Sequence, residues 1–188
     1  GSVMNIADLK VEDIDFVRMA DGLSKIARFN GAYSRVIGIY SVAQHSVMGA
    51  RALYREKTNQ VLAAYFLLHD GHEYIIGDQP RPTMKLIGHH AEHMQEGAGA
   101  MFAFAVENMK ASIDVVIHRA AGFPPLAEFP NYARDVAEMD DRMLRAEGLA
   151  LFGPKAAAHL PAKNLKPPEL KEPVDKAWPP DVAKEKFL

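Results

Sequence analysis

Apolar side chains recur every three or four residues along most of this chain, and this spacing constrains the fold more than any other feature. Residues three or four apart lie on one face of an α-helix, so the pattern predicts amphipathic helices that pack through their apolar faces. No run of alternating apolar and polar residues is long enough to predict a sheet. The predicted fold class is therefore all-α.

The predicted helices follow one another with short breaks. They cover residues 15–25, 41–54 with Ser41 as N-cap, 61–76, 87–110, 111–121 and 131–151. Residues 28–38 contain two glycines and are predicted to form a loop. Glycines and prolines near residues 77–82, 122–125 and 153–154 end the helices that precede them.

A chain of 188 residues has the usual length of one domain. We expect an N-terminal segment over residues 1–13, a helical domain over 14–153 and a proline-rich tail over 154–188. Seven of the 12 prolines lie in that last part, which predicts an extended tail packed on the surface. Trp178, the single tryptophan, is predicted to anchor the tail.

Charge and composition exclude several classes of function. The 22 Lys and Arg against 24 Asp and Glu give a net charge of −2, which argues against a nucleic-acid polymer as partner. With no cysteine, disulfides, zinc–thiolate sites and cysteine nucleophiles are excluded. The longest apolar runs fall short of the ~20 residues of a membrane span, and no secretory signal opens the sequence. We therefore expect no membrane partner and a cytoplasmic location.

Imidazole and carboxylate side chains gather at helical spacings within residues 40–82. His69 and Asp70 are adjacent in an apolar predicted helix, and Glu73 follows on the same helix face. A charged aspartate in apolar surroundings is costly unless something compensates it, which a divalent metal does directly. This mixture of ligands suits Zn, Mn, Fe or Co better than Ca. His45 on the preceding helix is a further candidate ligand.

A fourth ligand is expected from a distant carboxylate, either Asp140 or Asp141 in the last long helix. The structural alternatives are ordinary: a single buried histidine is more often a hydrogen-bonded core residue, and an adjacent His-Asp pair is common by chance. The combination here is different, because Glu follows the His-Asp pair three residues later and Gly-Asp comes soon after. Such a combination is much less typical of residues that have only a structural role. Five other histidines are interpreted as solvent-exposed or structural: residues 89, 90, 93, 118 and 159.

Taken together, these segments resemble the HD-domain metal-dependent phosphohydrolases. The segments are SVAQHS at residues 41–46, HDGHE at 69–73, GDQPRP at 77–82, RFNG at 28–31 and the stretch 136–147. They are most similar to the compact bacterial 5'-deoxynucleotidases and the related small phage deoxynucleoside triphosphate triphosphohydrolases. The resemblance covers about residues 14–151 and implies an HD-type helical bundle.

The resemblance also implies roles for individual residues. The implied metal ligands are His45, His69, Asp70 and Asp140, the last preferred over Asp141 because of its spacing to Leu144 and Glu147. Glu73 is implied to orient or activate the attacking water, and Asp78 to assist proton transfer. Arg28 is implied to hold a phosphate. Apart from the resemblance, Arg35 and Arg81 are further candidates because a guanidinium binds phosphate oxygens bidentately, and His72 is a candidate because it lies near the metal ligands. The structural alternative for Arg28 is a cap on the helix 15–25.

The expected function is a divalent-metal-dependent phosphohydrolase that converts deoxynucleoside monophosphates to deoxynucleosides and phosphate. The metal would be Co, Mn, Zn, Fe or Mg. One alternative is a deoxynucleoside triphosphate triphosphohydrolase of the purine- or dATP-selective phage type, located in the host cytoplasm if phage-encoded. Another is a nucleotide-binding module without catalysis, although every expected acidic and imidazole position is present. The resemblance also implies a homodimer or a higher homo-oligomer.

Overall fold

A computed structural model of the chain describes residues 5–33, 35–36 and 38–188. Within these residues the protein is all-α, which confirms the predicted fold class, and an isolated bridge between Ala27 and Ser41 is the only extended pairing. The first four residues of the predicted N-terminal segment, and Ser34 and Ile37 of the predicted loop, lie outside the described part. None of the described helices is long and apolar enough to cross a membrane.

The helices are α1 (Phe16–Lys25), α2 (Val42–Lys57), α3 (Gln60–Leu68), α4 (Glu73–Ile76), α5 (Arg81–Met94), α6 (Ala98–Ala120), α7 (Pro130–Glu147), α8 (Pro154–Ala157) and α9 (Pro180–Phe187). Short 3-10 turns cover Ile6–Asp8, Val11–Asp13, Arg28–Gly31 and Leu126–Glu128, and a π-helical turn covers Gly148–Phe152.

Local capping explains where α1 and α2 begin. The Asp15 carboxylate accepts hydrogen bonds from the backbone N–H groups of Val17 and Arg18, the second and third residues of α1. The Ser41 hydroxyl accepts one from the backbone of Gln44 at 3.2 Å, which confirms Ser41 as the N-cap of α2. Both starting points therefore follow from residues that the sequence displays.

The helices α2 and α3 form the centre of the core. Eleven of the sixteen residues of α2 are buried, and a two-residue connection joins it to α3 as an adjacent partner. Gly49 allows the close approach, because a Cβ atom there would overlap the ring of Phe66. This packing brings the predicted ligands on the two helices together.

Two predicted helices are divided differently in the structure. The predicted helix 61–76 is broken after Leu68 by a turn over residues 69–72, in which Gly71 packs too closely on Leu68 for a side chain (2.9 Å from a Cβ to the carbonyl oxygen). The predicted helix 87–110 begins earlier, at Arg81, and ends at Met94. After a reversal at Gly97, where φ is 81°, α6 runs through the predicted helix 111–121 without a break.

The C-terminal segment differs from the predicted extended surface tail. Pro154 and Pro180 stand at the first positions of α8 and α9, where proline starts a helix rather than breaking one. Trp178, Ala183 and Phe187 are buried, and α9 packs on α1 and α2. Residues 154–188 therefore contribute to the core, and Trp178 is the anchor that the sequence predicted.

Candidate metal centre

Four candidate ligands from three parts of the fold converge at one point. His45 comes from α2, His69 and Asp70 from the turn after α3, and Asp140 from α7. His45 Nε2 lies 3.3 Å from His69 Nε2, 3.6 Å from Asp70 Oδ2 and 3.4 Å from Asp140 Oδ1. His69 Nε2 lies 3.2 Å from Asp70 Oδ2 and 3.7 Å from Asp140 Oδ1. Ligands ~2.1 Å from a tetrahedral metal are about 3.4 Å apart, so the donor set fits a divalent cation.

The hydrogen bonds of the two imidazoles orient their free nitrogens toward this point. His45 Nδ1 lies 2.5 Å from Glu147 Oε1, and His69 Nδ1 lies 2.6 Å from the carbonyl oxygen of Phe66. A carboxylate and a carbonyl only accept hydrogen bonds, so each Nδ1 donates and each Nε2 is left for a cation. The two free ring nitrogens therefore face two carboxylate oxygens, an arrangement that a cation bound between them would stabilise.

The pKa shifts of His69 and Asp140 show that the centre favours positive charge. Burial lowers the pKa of His69, but the charges of Asp70 and Asp140 outweigh burial and hold this pKa well above its usual value. Burial raises the pKa of Asp140, but hydrogen bonds from His45 and His69 hold it well below its usual value. A proton or a metal ion can supply the positive charge, and the two compete for the same nitrogens.

Arg28 is buried beside the ligands and contacts three carboxylates. Its Nε donates to Glu147 Oε2 at 3.0 Å, its Nη1 to Asp70 Oδ2 at 3.2 Å and its Nη2 to Asp140 Oδ1 at 3.4 Å. These contacts place Arg28 in the ligand cluster and not on the end of α1, where it would act as a cap. Each of its nitrogens already faces a carboxylate, so a phosphate would have to replace one of these partners.

The backbone after Arg28 is held in an unusual conformation. Phe29 and Asn30 both have positive φ, 57° and 53°, which is uncommon for residues other than glycine. The Phe29 N–H donates to Asp78 Oδ2 at 2.8 Å, so Asp78 helps to hold the turn that carries Arg28. Burial raises the pKa of Asp78, and the charge of Arg28 opposes the rise only in part.

Glu73 lies next to the ligands without a partner of its own. It is buried at the start of α4, and its Oε2 has no hydrogen-bond partner among the described residues. A carboxylate oxygen of Glu73 lies within 4.8 Å of a ligand atom of both Asp70 and His72. Burial and the charges of Asp70 and Asp78 raise the pKa of Glu73 to about 9. The side chain is therefore held in its neutral form at neutral pH beside the candidate metal ligands.

The remaining predicted phosphate contacts have different environments. His72 is buried, and its Nδ1 lies 2.9 Å from Asp114 Oδ1 on α6. The Arg81 side chain is 64% exposed and lies 3.5 Å from Asp140 Oδ2. Arg35 is exposed and lies against Gly153, where a Cβ would be 2.8 Å from its Nη2. The structure therefore brings Arg81 to the ligand cluster and shows Arg35 against a different partner.

Three residues of the site were not singled out by the sequence. Glu147 is fully buried and connects His45, Arg28 and the hydroxyl of Tyr40, which donates to Glu147 Oε1 at 2.8 Å. Asp114 holds His72. For Glu147 a signal existed, because it lies seven residues after Asp140 and so on the same face of α7. For Tyr40 and Asp114 no local pattern indicates the contact.

The other histidines agree with their structural interpretation. Residues 89, 90 and 93 are exposed, with the rings of His89 and His93 4.2 Å apart, and His159 is exposed as well. His118 is buried, with its ring edge against Tyr65.

Comparisons with known proteins add a distant similarity. No family model matches the chain. An uncharacterized protein of Rhodobacter capsulatus is 35% identical over 92 residues, which are 47% of this chain and 45% of that protein. The match spans less than half of the length of either protein, and the relative's description states no activity.

Proposed function

We propose that the chain is a divalent-metal-dependent phosphohydrolase of deoxynucleotides, with deoxynucleoside monophosphates as its preferred substrates. The observation that carries the proposal is the convergence of His45, His69, Asp70 and Asp140, with five distances of 3.2–3.7 Å between their ligand atoms. These ligands come from segments up to 95 positions apart in the sequence, and the buried Glu147 contacts the other ring nitrogen of His45. A histidine that is only a hydrogen-bonded core residue does not need such a set of neighbours.

The residues around the ligands supply what phosphate ester hydrolysis requires. A divalent metal, when bound, provides a Lewis acid for the phosphoryl group and a nucleophile at neutral pH. Glu73 has a free oxygen beside Asp70, and positive charge nearby would lower its raised pKa. It can then accept a proton from the attacking water, and Asp78 can assist the transfer to the leaving group.

Arg81 is a better candidate for phosphate binding than Arg28. Its guanidinium is exposed and makes only long contacts, 3.5 Å to Asp140 and 3.6 Å to Asp141. Arg28 is 8% exposed and is occupied by three carboxylates. We assign Arg81 to the incoming phosphate, and Arg28 to holding the ligand carboxylates in place.

The choice of a deoxynucleotide rests on the resemblance of the HDGHE motif and its flanking segments to the HD-domain phosphohydrolases. The test is to load the protein separately with Co, Mn, Zn, Fe and Mg and to incubate it with deoxynucleoside and ribonucleoside mono- and triphosphates. Inorganic phosphate is measured colorimetrically, and inorganic triphosphate by anion-exchange chromatography.

We expect phosphate release from deoxynucleoside monophosphates, abolished by chelator and by Asp70→Ala. Asp141→Ala, which changes a neighbouring carboxylate, is the matched control and should remain active. Triphosphate released from a deoxynucleoside triphosphate would favour the triphosphohydrolase alternative. Metal and nucleotide binding with no hydrolysis of any substrate would contradict the proposal and favour a binding module.

A further inference from the structure

The face of α7 that points away from the candidate metal centre carries both charged and alkyl side chains. Arg142, Arg145 and Ala146 lie on this face. At about 100° per residue, they are about 100–160° around the helix from Asp140 and Glu147. A molecule bound on this face would therefore not touch the candidate metal ligands.

The chain after α8 returns over this face and is attached to it at two points. We call residues 158–168 the arch. At the first point, a Cβ on Gly148 would overlap the side chain of Leu160, so the arch lies directly on the helical turn there. At the second point, Arg142 donates to the carbonyl oxygen of Lys166 at 2.6 Å. Between these two attachments the arch spans the end of α7.

A pocket of about 300 Å³ lies between the arch and α7. This volume is at the lower end of the range of small-molecule sites. Alkyl side chains make up most of its wall, among them those of Ala146, Leu149, Ala150 and Leu165. Leu149 is 53% exposed and Leu165 is 42% exposed. A ligand with an apolar body would remove this surface from water, which favours binding.

The pocket is charged at one end and apolar at the other. Arg145 lies one helical turn before Leu149 on the same face. The backbone of Lys166 is held by Arg142, which lies about one turn before Arg145. The two cationic residues Arg145 and Lys166 therefore lie toward the Arg142 end of the pocket, and Leu149 and Ala150 lie toward the other end.

Neither of these two cations has a carboxylate partner. Across the residues that the structure describes, Arg145 and Lys166 make no ion pair, and Arg145 donates to the Ala157 carbonyl oxygen at 2.8 Å. The carboxylate whose charge Lys166 does influence, that of Glu56, already accepts hydrogen bonds from Arg142 on both oxygens. No acidic side chain of the described chain lines the pocket. The protein itself therefore supplies no anion to the charged end, which favours an anionic ligand.

The chemistry of the wall distinguishes an alkyl anion from a nucleotide. A protein that binds a nucleobase commonly stacks it on an aromatic ring or meets its edge with polar side chains. The described residues that line the pocket include no aromatic ring and no uncharged polar side chain. An unbranched alkyl chain needs only alkyl walls, and a carboxylate accepts hydrogen bonds from both guanidinium and ammonium groups.

We propose that this pocket binds a single-chain amphipathic anion, a medium-chain carboxylate such as decanoate. Its head group lies on Arg145 and Lys166, and its alkyl chain lies along Leu149 and Leu165. The pocket and the candidate metal ligands use different faces of α7, so the inference stands apart from the proposed function and can fail or hold without it.

Isothermal titration of the full chain with hexanoate, octanoate and decanoate, each below its micellar concentration, tests the alkyl part. We expect one site per chain, with an affinity that rises by up to about fifteenfold from each acid to the next, because a buried methylene contributes about fourfold. Decyltrimethylammonium has a similar chain and the opposite charge, and should bind more weakly than decanoate by about tenfold or more. No binding of decanoate, equal affinities for the three acids, or equal affinities for the anion and the cation would overturn the proposal.

Variants test where the ligand lies. Ala146→Phe fills the pocket, and Leu149→Glu places a negative charge against the alkyl chain at an exposed position, so both should abolish decanoate binding while the circular dichroism stays helical. Lys166→Gln should weaken binding by about tenfold. The matched controls are Ala137→Phe, at an exposed residue of α7 outside the pocket, and Lys155→Gln on α8, and both should bind like the wild type. Wild-type affinity in Leu149→Glu, or an equal loss in a variant and its control, would overturn the assignment of the pocket.

Discussion

Glu147 is a fully buried carboxylate that carries charge because its neighbours compensate it. Burial alone would raise its pKa, but the charge of Arg28 and contacts with His45 and Tyr40 lower it to about 2. The ionised carboxylate keeps the proton of His45 on Nδ1, and Nε2 then faces the other ligands. Glu147, which is not itself a candidate ligand, therefore determines which ring nitrogen of His45 faces the other candidate ligands.

Glu147→Gln retains the size of the side chain and removes this charge. We expect metal affinity to fall by about 10–100-fold, since a neutral amide holds the Nδ1–H tautomer of His45 less strongly and its NH2 group must face another donor. Competition with a fluorescent chelator measures the constant. Tyr40→Phe removes one hydrogen bond to the same carboxylate and should have a much smaller effect. Unchanged affinity in a folded Glu147→Gln variant would show that His45 is oriented by other contacts.

The adjacent aspartates Asp140 and Asp141 allow a matched comparison. Asp140 Oδ1 lies 3.4 Å from His45 Nε2, whereas Asp141 Oδ1 lies 3.6 Å from Arg81 Nη1. Asp140→Ala should lose bound metal, and Asp141→Ala should retain a stoichiometric amount. Elemental analysis of purified protein by mass spectrometry measures both. The reverse result would move the ligand by one residue.

Glu73 combines burial, a free oxygen and repulsion from two carboxylates, which makes it costly for folding. Glu73→Gln should keep the metal and raise or preserve the melting temperature at neutral pH, because a neutral amide avoids the cost of keeping a buried carboxyl protonated. If the proposed function holds, turnover should fall by ~10²–10⁴, the usual contribution of a proton-transferring group. A loss below tenfold, measured under saturating substrate, would remove Glu73 from catalysis.

At the scale of the element, the C-terminal segment is tied to α2 by paired hydrogen bonds. The Gln44 amide donates to the Lys176 carbonyl oxygen and accepts from the Trp178 N–H, both at 2.8 Å. The Trp178 indole donates to Glu172 at 3.0 Å, and Lys186 Nζ lies 3.9 Å from the centre of the ring system. The segment thus docks through one aromatic residue and positions α9 on the core.

Trp178→Ala should therefore release α9 from α1 and α2. A buried tryptophan truncated to alanine costs about 3–5 kcal/mol, which is a large part of the stability of a domain this size. Urea denaturation measures the loss, and limited proteolysis should show new cleavage within residues 160–188. Leu165→Ala, at a residue of the same segment that is 42% exposed, is the control and should change stability little. Equal stability of both variants would show that the segment is not anchored by Trp178.

At the scale of the whole molecule, an ion pair joins three distant parts of the chain. Arg142 on α7 donates to both carboxylate oxygens of Glu56 on α2, at 2.7 and 2.8 Å, and to the carbonyl oxygen of Lys166 at 2.6 Å. The backbone N–H of Glu169 also donates to Glu56. Burial raises the pKa of Glu56, but these hydrogen bonds outweigh burial and lower it below its ordinary 4.5.

Acid should therefore lower the free energy of unfolding, in part because it protonates Glu56. Because the folded pKa lies below the unfolded one, the stabilisation is fully present above pH 4.5 and is lost as the pH falls through the folded pKa. Glu56→Gln should be less stable than wild type at pH 7, and the difference should shrink below pH 4.5. Urea midpoints at pH 7, 5, 4 and 3 test this. A difference that stays constant across this range would contradict the assignment.

The sequence by itself determined the helical class, the cap at Ser41, and a set of candidate ligands that includes His45, His69 and Asp70. Each of these depends on residues within a few positions of one another, where the period of the helix and the chemistry of a cap decide the outcome. Asp140 was chosen over the neighbouring Asp141 because its spacing to Leu144 and Glu147 places these residues on one helix face, which is again a local relation.

Tertiary structure alone decided which buried faces meet. The contact between Glu147 and His45 spans 102 positions, and that between Arg28 and Glu147 spans 119. The position of α9 likewise follows from packing against distant elements, α1 and α2. Periodicity shows that a face is buried but carries no information about its partner, because many apolar faces are chemically alike. The partner is selected only when all the helices pack at once.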